Sequence, residues 1–109
     1  MPDNPRYTLY QSRYTILHAA RAGECADYEC TVAGRCCESG DLLAEGVTIV
    51  RPVRGDILAV LVTGAYNHSM ASNYNRLPRP PIVMVSGGKD RVAVRRETYD
   101  DLLTLDEDM

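Results

Sequence analysis

Tyr28-Glu29-Cys30-Thr31-Val32-Ala33-Gly34-Arg35-Cys36-Cys37-Glu38-Ser39-Gly40-Asp41 falls into two halves with different chemistry. Tyr28–Arg35 reads as a strand, and it delivers the polar loop Cys36–Asp41. Gly40 can take a positive φ without steric cost, and Asp41 can hydrogen-bond nearby backbone. The spacing therefore predicts a tight loop at a strand end, with Cys37, Glu38 and Ser39 displayed side by side. A thiol can give or take a proton, and a carboxylate can hold an ammonium group. The plainer reading is a polar turn that happens to contain cysteine, because most turns carry no chemistry.

Working outward toward the N-terminus, residues 21–27 form a connecting turn around Gly23 and Asp27. Tyr7–Ala19 carries Tyr7, Leu9, Tyr14, Ile16 and Leu17 among polar residues and is expected to be a strand. In an extended chain Arg6 and Tyr10 would share a face about 13 Å apart. Met1–Arg6 is a proline-broken lead-in in which Pro5 keeps Asn4 extended.

Toward the C-terminus, Leu42–Val50 is short and mixed, with Gly46 expected as a turn. Pro52 and Gly55-Asp56 signal another turn. The Arg54-Gly55-Asp56 triplet matches a cell-adhesion tripeptide and is read as chance. Ile57–Thr63, a continuous apolar run between turn signals, is the clearest strand. Ala65–Ser72 has the composition of a short helix or turn, and a run rich in Asn, Ser and Tyr continues through Asn75. A polar run just after a buried strand is a position where sites occur, although Asn and Ser also serve to satisfy loop backbone. His68 within it reads as a surface histidine. Ile82–Ser86, Gly87–Asp90 and Arg91–Arg95 are strand, turn and strand. Thr98 with Asp101 starts a helix over roughly residues 98–104, ahead of an acidic tail expected to fray. The chain is thus mainly β, a single domain over residues 1–109 with about six strands and one or two helical turns, and a β-barrel or sandwich is the expected architecture.

Composition narrows the function. A net charge of −3 leaves no footprint for nucleic acid or an anionic membrane surface. Apolar runs are too short to span a bilayer, and the acidic, polar start is not a secretory signal, so a cytoplasmic location is expected. Phe and Trp are absent while Tyr occurs seven times, so aromatic mass sits where a hydroxyl can be used. Lys89 is the one lysine, against eleven arginines. Cys25, Cys30, Cys36 and Cys37 lack the paired spacing of a structural zinc site, and disulfides are not expected in a non-secreted chain.

Five blocks then point to a family: Met1-Pro2-Asp3-Asn4-Pro5-Arg6 with Tyr10; Cys37–Asp41; Gly64-Ala65-Tyr66-Asn67; Ser69–Asn75; and Arg95-Arg96-Glu97-Thr98-Tyr99. In order and spacing they resemble the diaminopimelate decarboxylase family, pyridoxal 5'-phosphate (PLP) decarboxylases related in fold to alanine racemase. The resemblance covers essentially the whole chain but corresponds to the family's C-terminal β-barrel or sandwich domain. The family's cofactor-binding (β/α)8 barrel, with its PLP-linking lysine, has no counterpart here. Lys89 lies in the Gly-Gly-Lys-Asp hairpin turn and is not expected to replace that lysine. The chain is therefore expected to be a fragment, a truncated frame or one piece of a split enzyme, inactive alone.

The resemblance implies roles residue by residue. Arg6 and Tyr10 hold the substrate's distal carboxylate, Glu38 pairs with its distal ammonium, and Cys37 is the proton donor, with Cys37 and Glu38 acting across a homodimer interface. Tyr66 lies near both cofactor phosphate and substrate. The expected partners are a small amino-acid substrate and either a second copy of the chain or a separate barrel-domain chain. Two alternatives stay open: a decarboxylase of the ornithine or arginine type, and a non-catalytic β-barrel interaction module. Arg6 together with Glu38 suits a zwitterionic distal end, which favours diaminopimelate over a substrate whose distal end is only cationic.

Overall fold

A computed structural model describes residues 1–107. Six strands form three antiparallel pairs. β1 (Ile16–His18) pairs with β4 (Leu58–Val60), β2 (Tyr28–Ala33) with β3 (Leu42–Ile49), and β5 (Ile82–Ser86) with β6 (Lys89–Val94). Two short helices, α1 (Tyr7–Tyr10) and α2 (Tyr99–Leu103), complete the regular structure. The mainly β expectation is met, but among the described residues the sheets do not close into a barrel.

β2 alternates half-buried and exposed residues, as a strand with one covered face must. Its partner β3 runs straight through Gly46, where a turn was expected. Cys30 pairs with Val47 and Val32 with Ala44, so β3 carries one residue more than β2 over this interval. Gly46, at φ +60°, makes this a bulge: glycine's freedom serves a kink within the ladder and does not end the strand. The core is small. Ile16, Leu43, Ala44 and Ile49 are buried together, with Val32, Leu58 and Val60 packed partly against them.

Two strand expectations need correcting. Tyr7–Ala19 is not one strand: α1 occupies its first part and β1 only its last. Arg6 takes a left-handed backbone (φ 64°) that turns the chain into α1, where Tyr10 N–H donates to Arg6 C=O at 3.0 Å. No residue of α1 is buried, so no apolar periodicity marks it as helical. Ile57–Thr63 also yields only the three residues of β4, and they are half-buried. The three-residue partner β1 limits the ladder, and Val62, at φ 59°, leaves it almost wholly exposed. Ala65–Ser72 is a set of turns.

The C-terminal elements follow their signals except at the turn, which is Gly87-Gly88 alone: Lys89 and Asp90, expected within it, open β6 and pair with Ser86 and Val85. Gly87 and Gly88, both at positive φ, close the β5–β6 hairpin, and Lys89 stands exposed at its start. Thr98 and Asp101 form a reciprocal capping box at the start of α2. The last two residues of the acidic tail expected to fray lie outside the described residues. The radius of gyration, 15.9 Å, exceeds the ~13 Å of a compact chain of this length. The β5–β6 hairpin leaves Val83, Met84, Val85 and Val92 exposed. No helix among the described residues is long and apolar enough to cross a membrane.

Candidate functional site

Three segments distant in sequence meet beside the β2–β3 connection: the lead-in 1–6, the loop 36–41 and the polar run 66–75. Asp41 organises them. Its carbonyl accepts from Gly34 N–H at 2.7 Å, and its carboxylate accepts from Cys36 N–H at 2.8 Å, closing the loop at its base. The same carboxylate accepts from Asn4 Nδ2 at 2.8 Å and is paired with the Met1 ammonium. Asn4 and Asp41 are both buried. Burial alone would push the Asp41 carboxyl up; the hydrogen bonds from the Met1 ammonium, Asn4 and Cys36 outweigh it and bring it down to about 2. Asn4 Oδ1 in turn accepts from Arg6 N–H at 2.7 Å. One buried amide thus ties the backbone of Arg6 to the loop that carries Glu38.

The polar run is stitched to the same lead-in. Asn67 Nδ2 donates to Asp3 C=O at 2.8 Å and Ser72 N–H to Pro2 C=O at 2.9 Å. Tyr74 Oη donates to Cys37 C=O at 3.2 Å. Tyr66 holds a left-handed backbone (φ 66°), and its carbonyl accepts from both Ser69 Oγ and Met70 N–H at 2.8 Å. Arg6 and Tyr66, both bulky, therefore sit in a backbone region that costs such residues about 1–3 kcal/mol and persists only where the surroundings fix it.

Arg6, Glu38 and Tyr74 line one small cavity of about 120 Å³ with Asn4, Cys36 and Asp41. Among the described residues neither the Arg6 guanidinium nor the Glu38 carboxylate makes a hydrogen bond or ion pair, although both residues line the same cavity. Tyr10 and Tyr66 line a separate, larger cleft of about 410 Å³ with Ser12, Tyr14 and Met70. The structure thus places Arg6 and Glu38 on one cavity and Tyr10 and Tyr66 on another, leaving Cys37 exposed at the loop surface beside Glu38.

Two local expectations fail. Arg6 and Tyr10 are related by one helical turn and do not lie along a strand. Gly40 does not use a positive φ; a side chain there would crowd only the movable end of Glu38, Oε1 at 2.7 Å. Sequence reasoning placed Asn4 and Tyr74 within the family's blocks but gave neither a role. Their types are ordinary for loops, and their partners lie 37 residues away in each case.

A family model described as "Pyridoxal-dependent decarboxylase, C-terminal sheet domain" matches residues 1–64. The chain belongs to the pyridoxal-dependent decarboxylases, as a C-terminal sheet domain. Within them it is similar to diaminopimelate decarboxylases: that of Bacillus subtilis is 49% identical over 97% of this chain. That of Actinosynnema pretiosum is 57% identical over 94%. The crystal structure of diaminopimelate decarboxylase from M. jannaschii in co-complex with L-lysine superposes on all of the chain, with a TM-score of 0.88 at 32% identity. The chain spans about a quarter of the length of these proteins, covering 24%, 23% and 25% of them.

The family implies PLP, and the residues present fit one wall of a site for it. The larger cleft is lined by Tyr10, Ser12 and Tyr66, whose side chains carry hydroxyls, a donor type suited to phosphate or carboxylate oxygens. Lys89 lies on the exposed hairpin and lines none of the clefts described.

Proposed function

We propose that this chain is the substrate-recognising, proton-donating part of a diaminopimelate decarboxylase, the enzyme that converts meso-2,6-diaminopimelate to L-lysine and CO2. The observation that carries it is Arg6 and Glu38 on one cavity, unpaired among the described residues. Opposite charges that share a cavity without pairing are arranged for a ligand carrying both charges. A planar guanidinium grips a carboxylate through two hydrogen bonds, and a carboxylate holds an ammonium. The distal end of diaminopimelate carries both groups, whereas that of ornithine carries only the cation. This favours diaminopimelate over an ornithine- or arginine-type substrate.

In this account Arg6 holds the distal carboxylate and Glu38 the distal ammonium, and Tyr10, which lines the other cleft with Tyr66, offers its hydroxyl there and not to the group held by Arg6. Tyr66 offers its hydroxyl to the cofactor phosphate and the substrate. PLP, bound mainly by the part of the enzyme outside this chain, supplies the electron sink when CO2 leaves. Cys37 then gives its thiol proton to the α-carbon, and the thiolate regains a proton from solvent. Because Arg6 shares its cavity with Glu38, Arg6, Cys37 and Glu38 act together in the active site of a partner subunit. The exposed Val83, Met84, Val85 and Val92 of the hairpin support a chain that is covered by further protein, either a second copy or a barrel-domain chain. The 109-residue chain alone is inactive, because its one lysine lies on that hairpin, and the enzyme is cytoplasmic.

The test is a chimaera in which this chain replaces the C-terminal quarter of the Bacillus subtilis relative. Cys37→Ala should lower kcat by roughly 10²–10⁴-fold with KM nearly unchanged, as for loss of a general acid. Glu38→Ala should raise KM as well as lower kcat. Cys37→Ala chains mixed with chains inactivated in the barrel should regain about a quarter of wild-type activity if subunits assort at random. Activity that stays at the sum of the two parents would place Cys37 outside the partner's site. CO2 release from diaminopimelate by the 109-residue chain with PLP would overturn its inactivity.

A further inference from the structure

We infer that Tyr74 is a positioning residue that seats the Cys37–Glu38 loop. Its hydroxyl donates to the carbonyl of the peptide joining Cys37 to Glu38, so one bond fixes the point from which both side chains depart. The base of the loop needs no such help. Asp41 closes it through Gly34 N–H and Cys36 N–H, while the Asp41 N–H reaches past the base to the outer part, donating to Glu38 C=O at 3.2 Å. The outer part is held by other segments: Tyr74 on the Cys37 carbonyl and, more loosely, Thr8 Oγ1 on the Gly40 carbonyl at 3.4 Å.

Tyr74 is itself presented by a clamp. It opens a single 3-10 turn, Tyr74–Arg76, and Glu97 holds both flanks of that turn. Glu97 Oε2 accepts from Asn73 Nδ2 at 2.6 Å and from Arg79 N–H at 2.8 Å, and Oε1 accepts from Arg79 Nε at 2.6 Å. Asn73 Nδ2 also donates to Leu77 C=O at 3.1 Å, spanning the turn. The side chain and backbone N–H of Arg79 hold the Glu97 carboxyl down to about 2, so the clamp is charged at neutral pH. A residue just beyond β6 thereby reaches, through Tyr74, a loop that no element after β4 otherwise touches through a side-chain hydrogen bond among the described residues.

The catalytic consequence rests on the roles proposed for Cys37 and Glu38; the seating of the loop does not. Two measurements keep these apart. In the first, amide hydrogen exchange is followed on the 109-residue chain. Tyr74→Phe, which removes one oxygen from an exposed side chain, should speed exchange at Asp41, whose N–H bonds the Glu38 carbonyl, by roughly 3- to 10-fold and leave Cys36 at the loop base and Cys30 and Val47 in the β2–β3 ladder unchanged. Glu97→Ala should produce the same local pattern. Unchanged loop exchange in Tyr74→Phe, or equal acceleration throughout the chain, would overturn the inference. In the second, kcat is measured in the chimaera for Tyr74→Phe, Cys37→Ala and the double variant. Tyr74→Phe should lower kcat by roughly 3- to 10-fold alone and by less than about 2-fold on the Cys37→Ala background. Additive losses would show that Tyr74 does not act through Cys37. Faster loop exchange with a Cys37→Ala enzyme of normal kcat would keep the seating role and overturn the role given to Cys37.

Discussion

Adding one methyl group at Gly34 should unfasten the site. A Cβ on Gly34 would fall inside the van der Waals envelope of the Asp41 carboxylate. That carboxylate is buried and held by Asn4 Nδ2 and Cys36 N–H, each at 2.8 Å, so it cannot swing aside without losing them. Hydrogen bonds to a charged group are worth about 1.5–3 kcal/mol each, so losing two costs roughly 3–6 kcal/mol. The alanine returns about 0.4–1 kcal/mol by restricting the unfolded chain, leaving a net loss of about 2–5 kcal/mol. Against the ~5–15 kcal/mol of a typical domain this is a large fraction. Gly23→Ala and Gly64→Ala are the controls, since nothing lies within 4 Å of a Cβ at either position and neither has a positive φ. In urea denaturation followed by circular dichroism, Gly34→Ala should lower the midpoint by at least about 1 M with the slope unchanged, and the controls should stay within about 0.5 M. A Gly34→Ala midpoint matching the controls would refute the view that Asp41 is locked in place.

Acid should weaken the fold through the same groups. Asp41 and Glu97 are lowered from 3.8 and 4.5 to about 2, so each contributes stability that is fully present above its unfolded value and lost as pH falls through its folded one. The urea midpoint should be flat above about pH 5 and drop between about pH 4.5 and 2, with Glu97→Gln removing part of the drop; a midpoint flat down to pH 2 would contradict this. Val62, at φ 59° and almost wholly exposed, should accept glycine with a gain of about 0.5–1 kcal/mol, the relief of left-handed strain exceeding glycine's entropic penalty. A lower midpoint for Val62→Gly would show that the strain is absent.

Elements with a local cause were legible in the sequence. Gly87-Gly88 between two apolar runs made the β5–β6 hairpin plain, and Thr98 with Asp101 placed the start of α2 within a residue. Elements decided by remote partners were not. α1 exists because Arg6 turns left-handed under the hold of Asn4, whose own partner Asp41 is 37 residues away. Gly46 read as a turn because glycine in isolation gives the same signal for a turn and for a bulge; the pairing of Val47 and Ala44 with β2 separates them. The apolar run Ile57–Thr63 signalled a longer, buried strand, but its partner β1 covers only Leu58–Val60. At the candidate site, the residue types of Arg6, Cys37 and Glu38 were visible as chemistry. That Arg6 and Glu38 line one cavity while Tyr10 and Tyr66 line another was not, because no local pattern encodes which loops meet.

The assignment of Arg6 and Glu38 to a zwitterionic distal end is tested most directly by comparing two substrates in the chimaera. The kcat/KM for meso-diaminopimelate and for ornithine, which lacks the distal carboxylate, would be measured with Arg6 intact and with Arg6→Ala. Loss of a charge-assisted pair in a shielded cavity should lower kcat/KM for diaminopimelate by roughly 30- to 1000-fold, about 2–4 kcal/mol, and leave the slower ornithine reaction within about threefold. An Arg6→Ala enzyme that handles diaminopimelate as well as the parent, or loses both substrates equally, would contradict the account.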